Sequence, residues 1–128
     1  MVYSLIFLIL AAISNSVMDT LQFHFETSVF LNKNPQYWNP NISWKNKYVN
    51  GDTKLGRRKI FGLIDYPVLL TDGWHLFKSF TISFLILSAL TFDFSLKFWY
   101  YYPIVFCIYK TIWGLFFELF YKYLLRKC

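Results

Sequence analysis

Three long apolar stretches alternate with polar segments along the 128-residue chain, and they define the elements that we predict. The first stretch carries a helical pattern that predicts one helix over about residues 3–30. Two further apolar stretches predict helices over about residues 73–96 and 98–125. Each contains the roughly 20 mostly apolar residues that are needed to cross a hydrocarbon core about 30 Å thick. The pattern therefore predicts an all-α integral membrane protein with three transmembrane helices.

A polar segment, residues 31–59, separates the first two predicted helices. Pro35 and Pro40 are expected to stop helices, and an Asn-Gly-Asp sequence at residues 50–52 predicts a turn. Aromatic residues stand among its lysines and asparagines, which favours contact with the headgroup layer of a membrane. A folded binding loop is the alternative interpretation of the same residues.

A shorter apolar run, residues 60–71, precedes the second predicted helix. It is interrupted by Asp65 and Pro67, and its length is insufficient to cross a bilayer. We therefore predict an interfacial or re-entrant segment. The run ends at Thr71-Asp72, which predicts a helix N-cap, because an aspartate there is favoured by the exposed amides and the dipole of the helix.

The composition supports a membrane protein. Hydrophobic residues make up 56% of the chain, aromatic residues 23% and charged residues 16%, whereas a soluble domain has about 25% charged residues. A soluble core of this size would leave too much apolar surface in water, and the same hydrophobicity rules out disorder. Two cysteines are too few for a disulfide scaffold, and we do not expect Cys107 and Cys128 to pair.

The net charge of +6 is unevenly distributed. Basic residues are concentrated between positions 31 and 60 and at the C-terminus, and the positive-inside rule places both regions in the cytoplasm. The N-terminus is then outside, and the loop of residues 31–59 and the C-terminus are cytoplasmic. We expect anionic lipid headgroups as partners. Nucleic-acid binding is not expected, because no nucleic-acid-binding motif accompanies the charge.

Polar and ionisable residues inside the predicted helices are the first candidates for function, because they are expensive to place in hydrocarbon. On the first helix, Asn15, Asp19 and Gln22 share one face with Glu26. Counting residues from the helix centres places Asp19 at the same depth in the membrane as Lys78 of the second helix and Glu118 of the third. The predicted buried polar layer consists of Asn15, Asp19, Gln22, Lys78, Lys110 and Glu118.

Two interpretations of these residues lead to different chemistry. In the first, Lys78 forms ion pairs with Asp19 and Glu118, and interhelical hydrogen bonds worth about 0.6 kcal/mol each fix the packing. In the second, carboxylates and histidine form an acid–base site or bind a divalent metal such as zinc at the cytoplasmic face. The candidate metal ligands are Asp19, Glu26, Asp72 and His75, with His24 in reserve. The spacing of Asp72 and His75 is common, and no established hydrolase motif accompanies it.

The sequence predicts a small polytopic membrane protein without assigning an activity. We expect a non-catalytic membrane component whose buried polar layer organises helix packing and assembly, as a homo-oligomer or as a subunit of a membrane complex. The alternative is a small intramembrane enzyme that acts on a lipid headgroup. A second alternative is an oligomeric ion or proton pore, or a holin-like protein.

Overall fold

The computed structural model describes residues 1–127 and is 70% helical, which confirms the predicted helical class. Three long helices dominate the chain: α1 (Val2–His24), α2 (Gly73–Leu90) and α3 (Tyr101–Glu118). With the turns that continue α1 and α3, all three are long and apolar enough to cross a membrane. The predicted number of such helices is therefore confirmed.

The segment between α1 and α2 folds into short turns and one hairpin. The strands β1 (Lys59–Ile60) and β2 (Ile64–Asp65) pair antiparallel. The predicted interfacial or re-entrant run therefore contains a strand of this hairpin. The short helical turns are Phe25–Thr27, Pro35–Trp38, Pro40–Ser43, Trp44–Lys47, Val49–Gly51, Thr53–Leu55 and Val68–Leu70.

Two prolines begin helical turns in this segment, whereas the sequence led us to expect that they would only end helices. Asn34 precedes Pro35, and its side-chain oxygen accepts a hydrogen bond from the Gln36 amide at 3.0 Å. Asn39 caps the turn at Pro40 in the same way. A proline fits the first helical position, because the amide that it lacks has no partner there.

Two of the long helices end earlier than their apolar patterns suggest. The backbone leaves α-helical geometry at His24, which has φ −138° and ψ 26°, so α1 ends before the predicted residue 30. α2 ends at Leu90 rather than near residue 96. Beyond it, Asp93 accepts hydrogen bonds from the Ser95 amide and hydroxyl, and such local bonds compete with the helix. α3 continues as a π-helical segment, Leu119–Leu124.

The core lies between α1, α2 and the first part of the connecting segment. An apolar cluster on this side of the molecule consists of Val17, Leu21, Phe25 and Phe30, with Trp38, Trp74 and Phe77 packed against it. Farther along α1, small side chains such as Ser4, Ala11 and Ala12 are fully buried. Small residues allow helix backbones to approach closely. Cys107 is exposed on α3, and Cys128 lies outside the described residues.

Candidate functional site

The candidate site is centred on Asp72, the residue that caps the N-terminus of α2. Its Oδ1 accepts a hydrogen bond from the backbone amide of His75 at 2.8 Å. Its Oδ2 lies 2.7 Å from Nδ1 of the His75 ring. Because a carboxylate oxygen accepts, this contact favours a hydrogen on Nδ1 and leaves Nε2 as the second ring nitrogen. One aspartate therefore both starts the helix and orients the imidazole.

Burial differs sharply between the two partners. The Asp72 side chain is 2% exposed, whereas the His75 side chain is 27% exposed. The hydroxyl of Thr71 lies 3.3 Å from Oδ2 and supplies a further polar neighbour. The carboxylate is thus shielded, and the imidazole is the member of the pair that a solute can reach.

His75 lines an open pocket of about 280 Å³ between α1, α2 and the connecting segment. Trp74 forms part of its wall and donates a hydrogen bond from Nε1 to the Gln22 side-chain oxygen at 3.1 Å, which joins α2 to α1. The ring of Trp74 also meets the His75 ring edge-on at 4.9 Å between centroids. The remaining wall residues are Gln22, Pro40, Ser43, Trp44 and Asp72. Aromatic walls with few polar groups are typical of small-molecule sites.

The connecting segment is held over the start of α2 by Trp38. This ring stacks on Phe30 at 4.8 Å and approaches Phe77 at 6.3 Å. Gly73 makes the approach possible, because a Cβ at that position would lie 2.8 Å from the Trp38 ring. The tryptophan and the glycine are 35 positions apart, and no local sequence pattern indicates that they meet.

Asn46 provides a second link between the segment and the site. Its Nδ2 donates to the carbonyl oxygens of Gln36, at 2.6 Å, and Thr71, at 2.8 Å. Burial and the negative charge of Asp72 raise the pKa of the Tyr37 hydroxyl above its ordinary value. Sequence reasoning missed both residues, because each lies far from Asp72 along the chain.

The structure brings Asp72 and His75 together, but it does not gather the other candidate metal ligands around them. Within residues 1–127, no three side chains of His, Cys, Asp or Glu form a group that could hold a metal ion. Glu26 is exposed and lines a separate pocket with His24. The ring of His24 contacts the Arg126 guanidinium. A zinc site therefore stays a prediction, for which these residues supply only the Asp72–His75 pair.

Most residues of the predicted polar layer are not buried in the structure. Lys78 lies over the Trp74 ring, with Nζ 5.0 Å from its centroid, and Glu118 pairs with Lys122 one turn along α3. In the part of the chain described, these contacts replace the predicted ion pairs of Lys78 with Asp19 and Glu118. Neighbours on the same helix are within easier reach than a partner on another helix. Asn15 and Asp19 are half-buried, whereas Gln22, Lys78, Lys110 and Glu118 are exposed.

Comparisons with known proteins do not supply a function for this site. No protein-family model, no curated protein and no solved structure matches the chain. The functional argument therefore depends on the geometry of the Asp72–His75 pair and of the pocket that His75 lines.

Proposed function

We propose that this protein is an integral membrane protein with three spans and an acid–base site, formed by Asp72 and His75, at one membrane face. The observation that carries the proposal is the 2.7 Å contact between a shielded carboxylate and an imidazole that lines a pocket. A carboxylate that holds Nδ1 fixes the ring and stabilises the imidazolium that forms when Nε2 takes a proton.

The surface of the long helices supports membrane insertion. α2 and α3 expose bulky apolar side chains along their length, including Ile82, Ile86, Ile104 and Phe106. An apolar surface of this extent is unusual for a monomer in water, whereas lipid tails cover it without cost. We place the N-terminus outside and the connecting segment with the C-terminus in the cytoplasm, on the argument from basic residues.

The β1–β2 hairpin supports contact between the connecting segment and the membrane surface. Phe61 and Leu63 at its tip are 94% and 84% exposed. Arg57 and Lys59 lie on the same hairpin or beside it. Exposed apolar residues next to basic ones suit insertion into the headgroup layer. This arrangement supports the interfacial rather than the re-entrant interpretation of residues 60–71.

The substrate that fits best is an amphiphile presented by the membrane, such as a lipid with a hydrolysable headgroup. The pocket beside His75 has aromatic walls from Trp44 and Trp74, which suit the apolar–polar boundary. In the proposed step, Nε2 of His75 accepts a proton from water or from a substrate hydroxyl, whose oxygen then attacks the headgroup linkage. The imidazolium returns this proton to the leaving group, so the enzyme ends in its starting state.

The test uses the full chain reconstituted in liposomes of defined phospholipids, with headgroup release measured by mass spectrometry. We expect release by the wild type and a loss of about 100-fold or more in His75→Gln, the range for a general acid–base residue. His24→Gln is the matched control and should retain full activity, because His24 lies outside the pocket. Elemental analysis of the same preparations tests the zinc prediction.

Thermal unfolding of both variants separates lost activity from lost folding. Equal rates in wild type and His75→Gln would refute the site, and no turnover of any phospholipid by the wild type would refute the substrate class. Nitrogen NMR of labelled histidine adds an independent readout. It should show the hydrogen of His75 on Nδ1, and this preference should disappear in Asp72→Asn.

A second candidate is a non-catalytic role in assembly, and Lys110 favours it. This lysine is exposed on α3 beside an apolar groove of about 330 Å³ whose other walls include Leu8 and Trp113. A lysine at mid-span costs about 2.5–3.5 kcal/mol in lipid. A second copy of the chain that covers Lys110 with an acceptor would remove this cost. A pore has less support. Its lumen would be lined by the polar face of α1 that carries Asn15, Asp19 and Gln22, and Gln22 already accepts a hydrogen bond from Trp74.

A further inference from the structure

A second pocket of about 480 Å³ lies in the connecting segment, and it shares no lining residue with the pocket of His75. Its walls are mainly polar. Gln36, Asn46 and Asn50 contribute amide side chains, and Arg58 contributes the charged one. A volume of this size lies within the range of about 300–1,000 Å³ that small-molecule sites occupy.

Two backbone hydrogen bonds position the main chain of Arg58, and its side chain contacts an aromatic ring. Its amide donates to the Lys47 carbonyl at 2.9 Å, and its carbonyl accepts from the Tyr66 amide at 2.8 Å. The guanidinium lies over the Tyr66 ring, with Cζ 4.8 Å from the ring centroid. This cation–π contact stabilises the guanidinium beside the ring and leaves its N–H groups free to donate hydrogen bonds.

Most N–H groups of this guanidinium donate no hydrogen bond within residues 1–127. Its one hydrogen bond within residues 1–127 runs from Nη1 to the Asn46 carbonyl at 3.5 Å, which is long for such a bond. A guanidinium offers five N–H donors in a fork that matches the oxygens of a phosphate. Arg58 is therefore an exposed cation at the pocket wall without a strong anionic partner in the described part of the chain.

The segment that forms the pocket is positively charged. Residues 31–72 contain seven basic residues and three acidic residues, a net charge of +4. No carboxylate lines the pocket. Asp65 approaches Arg57 at 4.0 Å, and Asp72 is bound to His75. A concave polar site with one sign of charge concentrates ions of the opposite sign.

We propose that this pocket binds the phosphate group of an anionic phosphoester, with Arg58 as its cationic ligand. The Asn46 side chain is engaged by backbone carbonyls of the same pocket, so it shapes the wall beside Arg58. The phosphate belongs either to a phospholipid headgroup or to a soluble phosphoester. This binding site stands apart from the acid–base chemistry proposed for His75.

The experiment titrates the full chain, purified in a nonionic detergent, with three probes and detects bound species by native mass spectrometry. The probes are dioctanoyl phosphatidylglycerol, dioctanoyl phosphatidylcholine and glycerol 3-phosphate. We expect phosphatidylglycerol to bind more tightly than phosphatidylcholine. Arg58→Gln should weaken the binding of phosphatidylglycerol about tenfold, as the loss of a charge-assisted ligand implies.

Arg57→Gln is the matched control, because it removes the same charge from the neighbouring residue, which does not line the pocket. Its effect should stay below about twofold, the size of a weakly coupled surface charge. Arg58→Lys keeps the charge but loses the planar fork, and it should fall between wild type and Arg58→Gln. Unfolding curves establish that each variant is folded.

The probes also identify the source of the phosphate. If glycerol 3-phosphate binds and its binding depends on Arg58, the proposal is supported and the phosphate group alone is a sufficient ligand. If phosphatidylglycerol binds and glycerol 3-phosphate does not, the proposal is supported and the ligand is a lipid. Equal losses in Arg57→Gln and Arg58→Gln, or equal affinities for the two phospholipids, would overturn the proposal. Turnover at His75 does not enter this measurement, so the two proposals fail separately.

Discussion

α1 and α3 are both long apolar helices, yet α1 packs more tightly against the rest of the protein than α3 does. Eight residues of α1 are buried, and the buried set is rich in serine and alanine, whereas no described residue of α3 is buried. α3 carries bulky side chains instead, including Trp113, Phe116 and Phe117. Small side chains allow a neighbouring backbone to come close, and large aromatic ones keep it at a distance.

The two helices also differ in how they are attached. α1 and α2 exchange hydrogen bonds near the end of the pair that lies far from the candidate site. Ser4 Oγ donates to the Ser88 carbonyl, and Ser88 Oγ donates to the Ser4 carbonyl, each at 2.8 Å. The chain after α3 returns to the end of α1, where the Val29 amide donates to the Leu125 carbonyl at 2.9 Å. Packing thus defines the α1–α2 pair. The outer face of α3 stays available to lipid or to a partner.

The largest change in stability should come from a methyl group added at Gly73, where the connecting segment meets the packed α1–α2 pair. We expect Gly73→Ala to lower the free energy of unfolding by about 1–3 kcal/mol, the cost of overpacking a filled site. The added Cβ would meet the Trp38 ring, which stacking on Phe30 prevents from moving freely. Thermal or denaturant unfolding in detergent measures the change.

Gly114→Ala on α3 is the control, because a Cβ there meets nothing within 4 Å. It should be neutral or should stabilise α3 by up to about 1 kcal/mol through helix propensity. Equal destabilisation by Gly73→Ala and Gly114→Ala would contradict the prediction that α2 is tightly packed at Gly73 and α3 is not packed at Gly114.

A smaller effect should follow from removing the charge on the outer face of α3. We expect Lys110→Leu to weaken association between copies in liposomes about tenfold, or about 1.4 kcal/mol, through loss of a covered charge partner. Energy transfer between labelled copies at several protein-to-lipid ratios measures the association. Thr111→Leu adds similar apolar bulk next to it and should leave association unchanged within about twofold. A wild type that stays monomeric at every ratio would contradict the assembly role.

The smallest effect should come from the serine pair. Ser88→Ala removes one of two reciprocal hydrogen bonds and should destabilise the α1–α2 pair by about 0.6 kcal/mol, the average for such bonds between membrane helices. Ser83→Ala, at an exposed position on the same helix, should change stability by less. A double-mutant cycle with Ser4→Ala tests the coupling, and strictly additive losses would show that the two hydroxyls act independently.

Part of the candidate site could be predicted from local sequence, because its geometry is local. Asp72 stands directly before an apolar helical stretch, and this position predicts an N-cap. The third residue of the helix then lies beside the cap, which is where His75 is found. The long-range contacts around the site could not be predicted in this way, since Trp74 meets Gln22 across 52 positions and Asn46 meets Thr71 across 25.

The predicted ion pairs of Lys78 show a second limit of counting along the chain. Counting gives the depth of a residue in a helix bundle, and it placed Lys78 level with Asp19 and Glu118. It does not give the rotation of each helix about its own axis. In the structure, Thr81 and Ser88 are the buried residues along the middle and end of α2, and Lys78 is exposed.

The sequence by itself determined the helical class and the number of long apolar helices, together with the cap at Asp72. These features depend on composition, on apolar periodicity and on neighbours within one helical turn. Only the tertiary structure decided which helix contributes most to the buried interior, which polar residues meet and where the pockets lie. Those outcomes depend on how helices rotate and on how a 48-residue connection between α1 and α2 folds back, and contacts between distant residues set both.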